Sequence, residues 1–232
     1  MSEHSRLQHL PIALFAMVMG LSGLTLVWQK SATMLPLSPA IGQGLLVLTG
    51  GLFTVLLPAY ALKAIRYRDA VRAELDHPVK LSFFPTISIS LILLGTATRH
   101  SLPDLSIVLW GIGAALHLVL TLFIVNRWMH HEHFQIIHIN PAWFIPAVGN
   151  ILIPIAGMTH GQVSISWFFF SIGLVFWIIL LTIIFYRVIF HDPLPGRLLP
   201  TLFILVAPPA VGFIAYEGMV GDIYPFSRIL FN

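Results

Sequence analysis

The sequence contains no cysteine and few charged residues, and both absences narrow the classes of protein that it can encode. Without cysteine, disulfides, thiolate metal sites and cysteine nucleophiles are excluded. Only 9% of the residues are charged and 57% are apolar, with a mean hydropathy of +0.90. A water-soluble domain of 232 residues does not tolerate that composition. The pI of about 9.5 does not indicate nucleic-acid binding, because the basic residues do not gather on one solvated face.

Long apolar runs account for this composition. A helix needs roughly 20 apolar residues to cross the hydrocarbon core, and about 17 at the short end. Seven nearly uncharged stretches approach or exceed that length, at about 10–29, 41–62, 83–98, 105–126, 142–158, 165–186 and 198–216, and a further run begins near 224. We therefore predict an all-α transmembrane fold of seven spans plus the start of an eighth. Residues 1–232 form a single polytopic domain in this interpretation, with the lipid bilayer as its partner.

The basic residues between the stretches predict the orientation. Cytoplasmic loops of membrane proteins carry an excess of lysine and arginine. Most of the 12 basic residues fall on one side if the amino terminus is cytoplasmic: Arg6, Lys63, Arg66, Arg68, Arg72, Lys80, Arg127, Arg187 and Arg197. No cleavable signal peptide is evident before the first span. The sequence thus predicts a multi-pass protein of the plasma membrane with a cytoplasmic amino terminus.

The spans alternate in chemistry. The fourth and sixth contain no proline, whereas the third, fifth and seventh do. Each interior proline removes a backbone hydrogen bond, and in lipid the freed carbonyl must face protein or a wet cavity. This alternation predicts antiparallel helical hairpins, with proline-kinked odd helices inside and even helices outside. The candidate pore-lining residues are Gly20, Gly23, Pro85, Ser88, Pro146, Asn150, Pro154, Pro208 and Gly212.

Helix packing is the alternative explanation for these small and polar residues. Small residues let membrane helices approach closely, and Asn150 is as well suited to an interhelical hydrogen bond as to a pore wall. No charged residue lies deep in any predicted span, which argues against a proton relay and against a fixed cationic pocket. Weak attraction at several sites suits a channel. We expect Lys80 and Arg197 to form a basic cytoplasmic rim, although topology alone also explains them.

No catalytic, metal or cofactor site is predicted. His130, His131, Glu132 and His133, with His138 nearby, match no standard metal spacing and indicate an interfacial loop. His117 stands alone within the fourth span, so a structural hydrogen bond is favoured over haem ligation. No motif of an intramembrane enzyme is found. The seventh span contains no lysine for a Schiff base, which excludes a retinal protein and leaves a seven-helix sensor without retinal as one rival class.

Four segments resemble the tellurite-resistance/dicarboxylate transporter family, which includes the plant slow anion channels and bacterial tellurite-resistance protein A. They are FAMVMGLSGLTLVW at 15–28, HPVKLSFFP at 77–85, NPAWFIPAVGN at 140–150 and PTLFILVAPPA at 200–210. The resemblance implies ten spans in five hairpins, with odd helices around a pore in each subunit of a homotrimer. It also implies passage of small anions such as chloride or nitrate, or of C4-dicarboxylate, tellurite or sulfite.

The chain departs from the family pattern at its carboxyl end. Only seven spans and the start of an eighth are present, so the resemblance implies a chain truncated at the C-terminus. A proton-coupled secondary dicarboxylate transporter is the nearest alternative to a channel. The two mechanisms differ in ion coupling, and no intramembrane carboxylate for a coupling site is visible in the sequence.

Overall fold

The computed structural model describes residues 6–130, 134–222 and 224–231, and within these ranges every regular element is helical. The chain divides into two compact units, Met1–Gly113 and Ala114–Asn232. Each unit is described by itself. The all-α fold predicted from the sequence is confirmed.

The described part of unit 1 contains four complete α-helices and the first part of a fifth. Its helices are α1 (Phe15–Met34), α2 (Pro39–Arg66), α3 (Arg68–Leu75), α4 (Thr86–Thr98) and the first part of α5 (Pro103–His130). A 3₁₀ turn at Lys80–Phe83 precedes α4. Helices α1 and α2 run antiparallel, and the Thr25 and Thr49 hydroxyl oxygens lie 3.5 Å apart between them. Helix α4 is almost entirely buried.

Two glycines let α4 and α5 approach each other closely. A Cβ atom built on Gly95 would lie 2.9 Å from the backbone nitrogen of Trp110. A Cβ atom built on Gly113 would lie 2.9 Å from the backbone nitrogen of Ile92. The Ser106 hydroxyl donates to the Gly95 carbonyl at 2.6 Å across the same contact. This packing explains why α4 has no exposed face in unit 1.

Unit 2 contains the remainder of α5 and a segment that is broken into short pieces. That segment consists of a 3₁₀ turn at Pro141–Trp143, α6 (Phe144–Val148), a second 3₁₀ turn at Gly149–Leu152 and α7 (Ile153–Gly157). The long helix α8 (Val163–Phe190) follows. A 3₁₀ helix at Gly196–Val206 then leads into α9 (Ala207–Val220), and α10 (Pro225–Phe231) ends the described chain.

The prolines of these spans lie where helices begin, and do not bend continuous helices as the sequence analysis predicted. Pro85 is the residue before α4, and Pro154 is the second residue of α7. Pro208 and Pro209 lie in the first turn of α9. A helix's first N–H groups have no intrahelical acceptor, so proline is tolerated there and interrupts the helix that precedes it. The sequence therefore encodes broken spans at these positions.

Six helical stretches in the described ranges are long and apolar enough to cross a membrane: Ile12–Met34, Pro39–Arg66, Lys80–Thr98, Pro103–His130, Val163–Phe190 and Gly196–Val220. The predicted fifth span corresponds to the shorter apolar segment Pro141–Gly157. Its breaks follow from Pro146 and Pro154, which lack the N–H that a continuous helix needs.

Burial separates two of the odd spans from the others. The most apolar window of Lys80–Thr98 is 89% buried, and Pro141–Gly157 is also largely buried. The corresponding windows of Ile12–Met34 and Gly196–Val220 are only 28% and 17% buried, which resembles the even spans. The predicted rule of inner odd helices and outer even helices therefore describes the third and fifth segments within their own units. For the first and seventh spans it stays a prediction.

Candidate functional site

The clearest polar cluster inside unit 2 joins the broken segment to α5. The Asn150 side chain is fully buried, and its Nδ2 donates to the Ala147 carbonyl at 2.7 Å and to the Thr121 hydroxyl oxygen at 3.3 Å. The Thr121 hydroxyl donates to the Pro146 carbonyl at 2.6 Å. Two side chains therefore satisfy carbonyls of the segment that prolines interrupt, as a nonpolar environment requires.

Asn150 also carries a buried acceptor that remains open. Its Oδ1 has no hydrogen-bond donor among the described residues. A buried polar atom without a partner raises the free energy of the folded state, so such atoms in native proteins usually have a role or a water partner. The hydrogen bond to Thr121 shows that Asn150 links the broken segment to α5, and its role in a pore wall stays a prediction.

The other predicted pore-lining residues of unit 2 are buried against protein. Pro146, Pro154, Pro208 and Gly212 all lie inside the unit. A Cβ atom on Gly212 would be 3.6 Å from Leu230 and 4.0 Å from Ile151. A Cβ atom at this position would make only ordinary van der Waals contacts, so Gly212 packs against protein but the space does not require glycine.

The predicted residues of unit 1 fall into two environments. Gly20 and Gly23 on α1 face open space, because no atom lies within 4 Å of a Cβ built on either. Pro85 and Ser88 are buried, and the Ser88 hydroxyl donates to the Pro85 carbonyl at 2.8 Å. Within unit 1, the structure therefore leaves the two glycines at a free surface and places Pro85 and Ser88 in the interior.

The two predicted rim residues are both exposed. Lys80 begins the 3₁₀ turn before α4 in unit 1, and Arg197 lies in the 3₁₀ helix that leads into α9 in unit 2. Their charges are accessible to solvent, as a role in attracting anions requires. Lys80 belongs to unit 1 and Arg197 to unit 2. Each residue is therefore described only by its position at the end of its own span.

A buried ion pair at the end of α2 escaped the sequence analysis. The Lys63 ammonium lies 3.0 Å from Glu74 Oε2 and donates to the Leu10 carbonyl at 2.8 Å. The Tyr60 hydroxyl donates to the same carboxylate oxygen at 2.6 Å, and the ammonium lies 5.2 Å from the centre of the Tyr60 ring. These contacts tie together the entry to α1, the last turns of α2 and the inner face of α3.

The spacing of residues in α3 contains the signal for this pair. Tyr67, Ala70, Val71 and Glu74 recur at three- and four-residue intervals and are buried or half-buried, whereas Arg68 and Arg72 are exposed. A helical interpretation of the loop predicts that Glu74 faces inward. The predicted second span ends at residue 62 and leaves Lys63 in the following loop. For this reason Glu74 was not predicted as the partner of Lys63.

A second buried cation ends α8. Arg187 is 1% exposed; its Nε donates to the Ile136 carbonyl at 3.1 Å, and its Nη1 donates to the Asp192 carbonyl. The guanidinium therefore holds two loop carbonyls beside the last turn of the helix, where a cation also interacts favourably with the helix dipole. The predicted sixth span ended one residue before this arginine.

The histidines show no metal geometry within residues 6–130, 134–222 and 224–231, where no group of three or more His, Cys, Asp or Glu side chains is placed to bind a metal ion. His131, Glu132 and His133 lie outside the described residues. His138 Nδ1 accepts the Gln135 N–H at 3.2 Å and so stabilises a local turn. His117 is fully buried within α5.

Together these observations define a multi-pass α-helical membrane protein with a broken, polar-centred segment in one unit and a buried ion pair at a helix end in the other. The SLAC1 family, described as voltage-dependent anion channel, matches residues 9–228. The chain belongs to this family.

Relatives of the chain include transporters and anion channels. It is 33% identical over 227 residues to an uncharacterized transporter of Methanocaldococcus jannaschii, a match that covers 93% of the chain and 65% of the relative. It is 29% identical over 228 residues to the S-type anion channel SLAH3 of Arabidopsis thaliana, covering 95% and 36%. It is 25% identical over 225 residues to a tellurite resistance protein TehA homolog of Haemophilus influenzae, covering 96% and 68%. The chain thus spans about two thirds of the archaeal relative and a smaller part of the plant channel.

Proposed function

We propose that this chain contributes to the passage of small anions across a membrane. The membership in an anion-channel family supports this function, and the relatives' names include anion channels and a transporter. Chloride-like and nitrate-like monovalent anions are the proposed substrates, with C4-dicarboxylate, tellurite and sulfite as the other anions to test.

The observation that carries the proposal is the broken segment around Asn150. In a bilayer, irregular backbone is tolerated where it is buried in protein or lines a water-filled cavity. Asn150 and Thr121 satisfy part of the freed backbone and leave the Asn150 Oδ1 open. We propose that the spans interrupted by proline face an anion pathway, with contributions from Gly20, Gly23, Pro85, Ser88, Pro146, Asn150, Pro154, Pro208 and Gly212.

The charge distribution supports weak attraction of anions. The buried side chains of Lys63, Glu74 and Arg187 lie near helix ends, whereas the buried His117 lies within α5, and the Lys63 and Arg187 cations each have an oxygen partner. Exposed Lys80 and Arg197 supply positive charge at the ends of spans. An ion that meets several weak sites can leave as readily as it enters, which conduction requires.

The assembly and location that we propose follow the family and the positive charges. We propose a plasma-membrane protein with a cytoplasmic amino terminus and three copies of the chain in the assembly. The bilayer and small anions are its proposed partners, and no cofactor enters the mechanism.

Anion flux into proteoliposomes tests this function. We expect the purified chain to give nitrate and chloride fluxes driven by a potassium diffusion potential, and gluconate to pass far more slowly. Asn150→Leu is expected to change the nitrate flux severalfold, because it replaces the central polar group of the broken segment.

The matched control is Ile178→Ala on α8, whose side chain is 59% exposed at the outer surface of unit 2. Circular dichroism and size-exclusion profiles establish that both variants are folded. Equal effects of the two substitutions, or no anion flux above that of empty liposomes, would overturn the proposal.

A coupled dicarboxylate transporter is the second candidate, because Glu74 is a buried carboxylate that the sequence analysis did not identify. Its charge is compensated by Lys63 at 3.0 Å, and it lies on a surface helix beyond the end of α2. This position favours a structural ion pair over a coupling site within the membrane. Accumulation of succinate driven by a pH gradient, abolished by Glu74→Gln, would establish the transporter instead.

A further inference from the structure

The short helix α3 has two chemically distinct faces. Its inner face is fixed by the Glu74 carboxylate, which contacts both Lys63 and Tyr60. Its outer face presents Arg68 and Arg72, which are exposed and one helical turn apart. Side chains at this spacing are neighbours, with about 5–6 Å between their Cβ atoms. Arg66, the last residue of α2, is also exposed and lies two positions before Arg68 in the chain. We call Arg66, Arg68 and Arg72 the basic face.

The basic face lies at the depth of lipid headgroups. Helix α2 has 28 residues and is therefore about 42 Å long. The hydrocarbon core is about 30 Å thick, and the bilayer with its polar regions is about 40–45 Å thick. If α2 crosses the bilayer, its last turn reaches the headgroup region. Only Tyr67 separates α2 from α3, so α3 begins at that level.

The basic face is free to bind a ligand. No hydrogen bond or ion pair joins the side chain of Arg66, Arg68 or Arg72 to another residue in the described part of the chain. The exposed carboxylates nearby are Asp69 and Asp76, so positive charge predominates. The negative charge of Glu74 does not offset the positive charge of the arginines, because its carboxylate is buried and paired with Lys63.

We propose that the basic face binds the headgroup of an anionic phospholipid. Clusters of basic residues directly beyond a membrane span attract anionic lipids, and arginine's planar fork matches phosphate oxygens in a bidentate geometry. The buried Lys63–Glu74 pair holds α3 against α2, so the arginines are already in position when the lipid arrives. This proposal rests on α2 spanning the bilayer and is independent of which anions the chain passes.

Lipid titration of the purified full chain tests the site. The chain in maltoside micelles is titrated with short-chain phosphatidylglycerol, and binding is measured as the rise in thermal unfolding temperature. We expect the midpoint concentration to rise about fivefold for each of Arg68→Gln and Arg72→Gln, and more in the double variant. Arg68→Lys with Arg72→Lys should retain only part of the effect, because lysine keeps the charge but lacks the planar fork of arginine.

The charge-matched control is Lys30→Gln with Arg99→Gln. These residues lie at the other end of unit 1, where Gln29 Nε2 donates to the Ala97 carbonyl at 3.1 Å. We expect this variant to titrate like the unmodified chain. An unchanged midpoint in the arginine double variant, an equal loss in the control, or an equal response to phosphatidylcholine would overturn the proposal. A full response to inorganic phosphate would also overturn it, because the site would then bind the free anion.

Discussion

At the scale of single residues, the two polar clusters show how a mostly apolar chain uses its few polar groups. Lys63 and Glu74 are both buried, and their partners include the Tyr60 hydroxyl and the Leu10 carbonyl. Removing water from two charges is expensive, and the mutual attraction offsets this only when the remaining donors and acceptors are satisfied. The sequence predicted Asn150 as a candidate site residue, but the partner of Lys63 was missed because the segment that carries Glu74 was interpreted as a loop and not as a helix.

Removing one member of the ion pair is expected to destabilise the protein more than replacing both members by apolar residues. Glu74→Ala leaves a buried ammonium without its carboxylate, so we expect a loss of about 3–5 kcal/mol in the free energy of unfolding. The double variant Lys63→Met with Glu74→Leu should recover most of that loss. Unfolding in mixed micelles by sodium dodecyl sulfate measures both. A Glu74→Ala variant that stays within about 0.5 kcal/mol of the parent would contradict the role of the pair.

The Thr121 hydroxyl makes a second prediction at this scale. Thr121→Val deprives the Pro146 carbonyl and Asn150 Nδ2 of a partner, so we expect destabilisation of about 1–3 kcal/mol. Thr182→Val is the matched control, because Thr182 is exposed on α8 and bonds only to the Ile178 carbonyl one turn earlier. The control should change stability by at most about 0.5 kcal/mol. Equal losses in the two variants would refute the bridging role.

At the scale of helices, proline and glycine determine where the elements break and how closely they pack. Length and hydropathy located each apolar stretch to within a few residues at most ends, because a span must cover the hydrocarbon core. The effect of proline was predicted less well. Pro85, Pro154 and Pro208 lie at the starts of helices, where a missing N–H leaves no hydrogen bond unmade, whereas Pro58 lies inside the continuous helix α2. Sequence alone does not distinguish a bent helix from two helices that meet.

The close packing of α4 and α5 predicts that Gly95 does not tolerate a side chain. In Gly95→Ala the new Cβ would meet the Trp110 nitrogen at 2.9 Å, so backbone must shift and we expect a loss of about 1–3 kcal/mol. Gly51→Ala on α2 meets no atom within 4 Å, so helix propensity should stabilise it by up to about 1 kcal/mol. Opposite signs in the same unfolding assay are the expected result. A stabilising Gly95→Ala would show that the contact is not tight.

At the scale of the whole molecule, the fold class and the family followed from the sequence, whereas the pathway did not. Composition and span length are sufficient to predict a helical membrane protein, because the bilayer admits few alternatives. Four segments gave the family before any coordinates, and the match over residues 9–228 confirms it. Which helix faces line a passage depends on packing between spans, so the predicted alternation of inner and outer helices stays a prediction for the first and seventh spans.

The absence of cysteine makes the exposure of α1 to water directly measurable. A single cysteine introduced at Gly23 or Gly51 is the only thiol in the chain. The two positions lie at the same depth, since each is two residues from the Thr25–Thr49 contact between antiparallel helices. Neither position has an atom within 4 Å of its Cβ, so steric access is matched as well.

Modification by a charged, membrane-impermeant thiosulfonate reagent in proteoliposomes is the most direct test of an anion pathway beside α1. The account predicts that Gly23→Cys reacts rapidly and that its nitrate flux falls on modification, whereas Gly51→Cys on α2 neither reacts nor loses flux. Equal reaction at both positions, or an inert Gly23→Cys beside a reactive Gly51→Cys, would contradict it.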